Sequence, residues 1–586
     1  MIHLPRVFLF LLIGLNGWVF AQESKFSEIS STAGLPAFGG TQGIAVGDYN
    51  NDGFDDFYIS ADIGHNRLYR NNGDGTFVEV AESLGLNIEA KSKTAIWGDI
   101  NNDGYLDLYL ANLISNDQLF LNEGDGSFRE ITQAAGIENW ENPSSVNMAD
   151  VNNDGYLDIY VSNLAAENIL FLNQKNLSFI NYTTQSGTTD TGSSMGSIFF
   201  DYDKDGDQDL FLTHDHAEPS FLYQNDGTGH FTEVGEMANA NVQGLGMGVD
   251  IGDINNDGYS DVYITNLFKN TLLLNKGNGT FENISESAGI QDYGMGWGTS
   301  FIDFDKDGWL DIYVANDSEF SPYPNVLYRN QGNNFFLPVE LEEAVSSMGQ
   351  SYAAICFDFQ QDGMMDLAVA NRGVGDHFQL FQNADRPGNW IGIKLLGKES
   401  NSSAIGSKVH IVDEQGLISY KELTAGQGWA GQNSNVLYFG LGQAATLDSV
   451  TVFWPSGLVQ PLSQLKLNRY YTVEEGASPR EGIIGKPLLT SSPLLQNENR
   501  NLVLDVFPNP STGKVVLHTN LTKPTPLQLN VFNVLGKLLY TQYIEPKLAQ
   551  NQTWELNFLR LIQEKHLILQ LKTPDEVVSK RLILQP

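Results

Sequence analysis

Short apolar runs, alternating or continuous, recur along most of the chain with turn residues between them, and no stretch keeps a helical period. One unit shows the order. TAIWGD leads into an acidic segment, LYLAN follows it, then DQLFLNEG, a Gly-Asp-Gly turn and SFREIT. These four pieces predict four short strands. The acidic segments begin at Asp48, Asp99, Asp150, Asp201, Asp253, Asp303 and Asp358, a period of roughly 51 residues. Four strands per repeat of that length is the content of one propeller blade. The ends of the pattern favour a closed ring over an open solenoid. Copies of the fourth strand start at Phe77, Phe128, Phe179, Phe231, Phe281 and Phe336, and a further copy, FSEISSTAGL, starts at Phe26 ahead of the first acidic segment. None follows the seventh. The first strand is therefore expected to complete the last blade, which removes both exposed edges.

The fold class expected is all-β: a seven-bladed propeller over residues 22–386, a small β-rich domain over 387–476 and a C-terminal β-sandwich over 502–586. WIGIKLL, KVHIV, SVTVFW and YYTVEE supply the β segments of the second unit, and 477–501, poor in aromatics, reads as a linker. Residues 1–21 read as a signal peptide. Arg6 precedes an apolar run from Val7 to Leu15, and Val19-Phe20-Ala21 suits cleavage. The run is too short to span a bilayer and is interrupted by Gly14, Asn16 and Gly17, so no transmembrane segment is expected.

Charge sharpens the picture. Seventy-one acidic residues face 33 basic ones among 586, a formal net charge of −38. That excludes nucleic acid and anionic membranes as partners and favours soluble cations. Cys356 is the only cysteine, so no internal disulfide staples an exported chain.

The acidic segments read D-x-[D/N]-x-D-G-x-x-D. Position 1 is the aspartate that opens each loop. Position 3 is Asn50, Asn101, Asn152, Asp203, Asn255, Asp305 or Gln360, and position 5 is Asp52, Asp103, Asp154, Asp205, Asp257, Asp307 or Asp362. Position 7 can offer the backbone carbonyl of Phe54, Tyr105, Tyr156, Asp207, Tyr259, Trp309 or Met364. Position 9 is Asp56, Asp107, Asp158, Asp209, Asp261, Asp311 or Asp366. Glycine at position 6 permits the sharp turn that lets these oxygens converge. An all-oxygen set of this kind suits Ca²⁺. The spacing matches half an EF-hand loop, but there is no glutamate at position 12 and no flanking helix. About seven structural Ca²⁺ are expected, one per blade.

With these loops and the turns LYRNNGDGTF, LFLNEGDGSF and LLLNKGNGTF, the chain resembles the FG-GAP/VCBS-repeat, integrin-α-like propellers. NWIGIKLLGKESNSSAIGSKVHI, GQGWAGQNS, YFGLG and VFWPSG resemble an ASPIC/UnbV domain, a pairing similar to the cartilage acidic protein family. LVLDVFPNPSTGKVVLHT, LNVFNVLGKLLY and VVSKRLILQP resemble a type A sorting domain of type IX secretion. The resemblance implies a calcium-binding protein handed to the type IX machinery and placed outside a Gram-negative, Bacteroidetes-like cell.

Two functions compete. One is a scaffold that binds an extracellular protein or glycan. The other is a propeller-based polysaccharide lyase or hydrolase. The scarcity of clustered Arg, Lys and His favours binding, and no catalytic residue is assigned. Ligand contact is expected where the repeats diverge. After the second strand the repeats end at Asn112, Asn163, Asn266, Asn316 and Asn371, whereas the fourth gives His214, Asp215 and His216. By connectivity His65, Asn112, Phe320, Tyr323, Arg372 and His377 share their face of the ring. Met195-Gly196, Met247-Gly248, Met295-Gly296 and Met348-Gly349 lead into first strands, where methionine is expected to pack the axis.

Overall fold

The computed structural model describes most of residues 26–483 and, beyond them, the strands lying between Asp505 and Ile583. The expected signal peptide and most of the expected linker lie outside the described residues. Seven antiparallel sheets follow the repeats in order. Blade 2 is typical: Ser92–Gly98, Asp107–Asn112, Gln118–Asn122 and Phe128–Glu130 pair in sequence. First and second strands are buried on both sides, so they read as continuous apolar runs. The fourth strand keeps a buried phenylalanine and turns its next two residues outward.

The ring closes as the repeat ends require. Phe26–Glu28 is the fourth strand of blade 7, with Phe26 opposite Asn383 and Glu28 opposite Phe381. Apolar clusters fill the spaces between neighbouring blades. Phe57 and Tyr69 of blade 1 pack with Phe357, Phe378 and Leu380 of blade 7 across the closure.

The second domain has two four-stranded sheets. In one, Asn389–Leu396 lies between Val436–Gly442 and Arg469–Glu474; in the other, Lys408–Asp413 lies between Ile418–Glu422 and Leu447–Phe453. Its core, including Ile391, Val409 and Val452, is continuous with Ile96 and Ile159 of blades 2 and 3. The C-terminal domain also has two sheets, one of three strands and one of four.

The crossing from Glu422 to Val436 leaves the second domain and enters the bore of the propeller as a tight finger. Gln427 and Gly431 exchange backbone hydrogen bonds, and the tip Gly428-Trp429-Ala430 has left-handed backbone at Gly428 (φ 62) and Ala430 (φ 49). Inner edges of the first strands pair with it. Met148 N–H donates to the Ala425 carbonyl, and Val249 and Gly428 exchange bonds of 3.1 and 2.7 Å. Gly431-Gln432 lies parallel to Ile44-Ala45, and the Gln432 amide binds both backbone groups of Trp97 at 2.7 and 2.9 Å. Asn433 accepts from the Cys356 N–H at 2.8 Å. This packing accounts for one glycine of the Met-Gly pairs: a Cβ on Gly248 would lie 2.3 Å from the Trp297 carbonyl oxygen and 2.9 Å from Gly428, whereas one on Gly196 would meet the neighbouring first strand, 2.5 Å from the Met247 carbonyl oxygen. Met195 and Met247 are buried against Trp429 and Tyr352 rather than against one another alone. Met348 departs from the expectation: it lies before the seventh first strand and is exposed.

Candidate functional site

Each acidic loop is built the same way. The position 1 aspartate accepts from the position 6 glycine N–H, as in Gly53 to Asp48 at 3.1 Å and Gly258 to Asp253 at 2.8 Å. The position 5 aspartate accepts from the N–H of position 7, at 2.9–3.1 Å throughout. The position 6 glycines have φ between 84 and 105, a region closed to most side chains. The position 9 aspartate accepts from the last residue of the third strand, for example Asn173 to Asp158 at 2.7 Å. In loops 2 to 6 its other oxygen accepts from the position 2 N–H, as in Val151 to Asp158 at 3.0 Å. Asp201, Asp203, Asp205 and Asp209 gather oxygens within 4.8 Å of one another, as do Asp303, Asp305 and Asp311.

These loops fit a hard cation. Asp56 Oδ2, Asp201 Oδ1, Asp305 Oδ1 and Asp366 Oδ2 are buried carboxylate oxygens without a protein donor. A charged oxygen is not left so without cost unless a cation or a proton meets it. Burial raises the carboxyl of Asp99 and Asp150 to about 6, and that of Asp253 and Asp358 to about 7. The position 9 aspartates are pushed well above the ordinary range by burial, with neighbouring loop carboxylates adding to it.

Two interlocking rings of side chains, not evident from the repeat itself, join the loops. The position 4 residue has left-handed backbone in every loop. In four loops its side chain donates to the position 6 carbonyl of the next loop: Asn51 to Gly104 O at 2.9 Å, Asn102 to Gly155 O at 2.7 Å, Asn256 to Gly308 O at 3.2 Å and, across the closure, Gln361 to Gly53 O at 2.6 Å. Asn153 instead reaches Asp207 at 2.7 Å, and the Lys204 ammonium lies 3.7 Å over the Tyr259 ring. The asparagine ending each third strand reaches back to the position 2 carbonyl of the preceding blade. Asn122 meets Tyr49 O and, at the closure, Asn71 meets Phe359 O, both at 2.9 Å.

The second domain sits on this acidic face. Lys394 Nζ lies 3.1 Å from Asp48 Oδ2 and Lys408 Nζ 2.6 Å from Asp201 Oδ2. Ser402 donates to Asp99, Ser434 to Asp55 at 2.5 Å, and Tyr470 to Asp358. The loops also differ in what their own blades supply. Arg329 spans Asp305 and Asp307 at 2.7 and 2.8 Å, Gln224 donates to Asp203 at 2.7 Å, and Gln382 donates to Gln360 at 2.6 Å. In loops 2, 3 and 5, position 3 is asparagine and instead donates to the position 5 aspartate, at 2.9–3.1 Å.

The opposite face carries the residues expected to meet a ligand. His65, His216, Phe320, Arg372 and His377 are exposed, and Asp215 and Tyr323 partly so. Asn112 and His214 are buried. His214 sits between the Pro219 carbonyl at 2.8 Å (Nδ1) and Asp190 at 3.0 Å (Nε2). It takes the place of the asparagines that end other second strands: Asn163 Nδ2 donates to Glu167 O at 2.7 Å and Asn371 Nδ2 to His377 O at 2.6 Å. The His214 departure is thus one structural solution replaced by another, and only His216 of the pair offers its ring to solvent. Apolar side chains the repeat did not single out also collect on this face, among them Ile114, Trp140, Phe268 and Tyr293.

A ring of four-stranded blades, each folded on an acidic loop, with the N-terminal strand completing the last blade, is a β-propeller of acidic-loop repeats. The chain belongs to the FG-GAP-like repeat family, whose profile matches residues 48–110, 99–161, 150–212, 201–264, 265–314 and 303–369. Residues 397–480 match the ASPIC and UnbV family, and residues 505–585 match the secretion system C-terminal sorting domain. Cartilage acidic protein 1 of Xenopus tropicalis is 29% identical over 203 residues, covering 32% of this chain and 31% of that protein. The Homo sapiens protein of that name is 28% identical over 202 residues, covering 32% and 30%. The chain thus matches less than a third of these relatives' length. Among solved structures, an Agrocybe aegerita lectin described by its recognition of non-reducing terminal N-acetylglucosamine aligns at 18% identity, over 57% of this chain and 86% of its own, with a TM-score of 0.36. Saccharomyces cerevisiae Sqt1 aligns at 9% identity, over 60% and 98%, with a TM-score of 0.39. Neither likeness bears on the chemistry of a site. Among the described residues no helix is long and apolar enough to cross a membrane.

Proposed function

We propose that this protein is a calcium-stabilised scaffold that binds an extracellular protein or glycan through the loop face of its propeller. Its C-terminal domain would hand it to the type IX machinery of a Bacteroidetes-like bacterium, for display on the surface or release. The observation that carries the reading is the division between the two faces. The acidic face and the bore are occupied by the second domain, with its lysines, hydroxyls and finger. The other face presents the variable loops, with Trp140 72% and Phe320 65% exposed. Exposed aromatic side chains on loops held by a rigid ring are suited to recognition.

Calcium is the cation favoured for the loops, because carboxylate, amide and carbonyl oxygens at positions 1, 3, 5, 7 and 9 match its coordination. Bound calcium supplies the charge that the buried carboxylates lack. Elemental analysis of the purified chain is expected to give close to seven calcium ions, and EDTA to lower the melting temperature. An unchanged melting temperature with no metal bound removes the calcium reading. For the face, a screen of extracellular glycans and surface proteins is to be run on the calcium-loaded chain and on Trp140→Ser and Phe320→Ser. Binding lost in either variant at unchanged melting temperature supports the loop face; binding unaffected by both places recognition elsewhere.

A further inference from the structure

The finger does more than fill the bore, because it carries Trp429 to the loop-face end of the axis. There the Trp429 ring lies 4.8 Å from Trp297, and Trp297 stacks on Tyr352 at 4.5 Å with 17° between the planes. The Arg372 guanidinium sits 5.5 Å over the Tyr352 ring, donates to its hydroxyl at 3.1 Å and pairs with Asp62 at 3.0 Å. A buried indole N–H normally finds an acceptor. The Nε1 atoms of Trp297 and Trp429 are both buried, and neither has one among the described residues. Trp429 is 3% exposed, whereas Trp297 is only half-buried. Two neighbouring donors without acceptors thus lie beside a stacked aromatic pair, at the end of the axis that the body of the second domain does not cover.

We propose that this mouth binds a neutral sugar ring of an extracellular glycan, and that propeller and second domain build the site jointly. The proposal rests on the loop-face reading and narrows it. A pyranose offers an apolar C–H face to an aromatic ring, and hydroxyl and ring oxygens to the indole N–H groups, the donors here that no protein acceptor holds. A polyanion fits poorly. Arg372 is already paired with Asp62, the Tyr352 hydroxyl lies 3.3 Å from Asp317, and the chain carries a net charge of −38.

The test uses the full chain saturated with calcium. It is titrated with neutral cello-, chito-, laminari- and manno-hexaoses and with polygalacturonate, read by tryptophan emission and calorimetry. At least one neutral series is expected to bind and shift the emission, and polygalacturonate is not. Trp297→Phe and Trp429→Phe keep a ring and delete the N–H, so each is expected to weaken binding by roughly tenfold at unchanged melting temperature. Should Trp429→Phe not fold, Trp297→Phe on the half-exposed ring decides. Failure of every neutral oligosaccharide overturns the proposal, as does binding that neither variant weakens. Sugar binding that survives both variants yet is lost in Phe320→Ser overturns this site and leaves the loop-face reading intact. A chain that binds only proteins through that face overturns the sugar assignment.

Discussion

Single residues decide how the loops respond to protons. The carboxyls of Asp99 and Asp150, at about 6, and of Asp253 and Asp358, at about 7, lie above their value in an unfolded chain because of burial. A carboxyl raised on folding binds its proton more tightly in the native state. Without metal its stabilising contribution is present below about pH 4 and is lost as pH rises through 6 to 7. The EDTA-treated protein is therefore expected to melt at a lower temperature at pH 8 than at pH 5. Calcium, which takes the proton's place, is expected to stabilise more at pH 8, and calorimetry at the two pH values checks both. His214 gives a second expectation. His214→Asn restores the residue used by other blades and is expected to be near neutral. His214→Ala leaves Asp190 and the Pro219 carbonyl short of a donor and should cost about 1–3 kcal/mol in a denaturation experiment. The HDH run stood out in the sequence because it broke the repeat. Its structural role was not legible there, because the carbonyl and carboxylate it meets are fixed only by the folded loop.

At the scale of the element, the seven loops share a backbone and differ in charge compensation. Asp305 and Asp307 already hold Arg329, whereas the corresponding third-strand residue is Leu121, Leu172 or Leu274 in blades 2, 3 and 5. Arg329→Leu gives blade 6 the third-strand residue of those three, while its loop keeps Asp305 where theirs has asparagine. Without metal it strands the buried Asp305 carboxylate beside the partly exposed Asp307 and should cost about 3 kcal/mol. With calcium bound the loss should largely disappear, so the variant is expected to widen the gap between melting temperatures with and without the ion. An unchanged gap would show that loop 6 holds no metal. Loop spacing and the residues that line each loop were plain in the sequence, because every blade repeats the same oxygens at the same offsets. The position 4 clasps and the back-reaching third-strand asparagines were not. The asparagines reach back in every blade and the carbonyl clasps form in four, but their partners lie in neighbouring repeats, and periodicity within one repeat does not point there.

For the molecule as a whole, closure and the finger set the cooperativity. Deleting residues 26–35 removes the strand opposite Phe381–Asn383 and leaves the third strand of blade 7 as an open edge. Aggregation or loss of a single sharp transition is expected by scanning calorimetry and light scattering. A soluble monomer of native stability would falsify the closure role. That closure was legible from the orphan FSEISSTAGL, since a missing strand and a spare one can be matched without knowing the fold. GQGWAGQNS was legible only as part of the second domain; its path into the bore depends on pairing hundreds of residues away in sequence.

The finger also bears on how such a chain can evolve. Tandem repeats gain and lose copies easily when their genes recombine unequally, and an empty ring could widen or shrink by one blade and still close. Here residues 425–433 make hydrogen bonds to the first strands of blades 1, 2, 3, 5 and 7, and Trp429 packs against Trp297 of blade 6 and Met195 of blade 4. A six- or eight-bladed descendant would present a bore of the wrong diameter to an unchanged finger. The second domain therefore acts as a gauge of copy number, and any lineage that changes the blade count must reshape this finger with it.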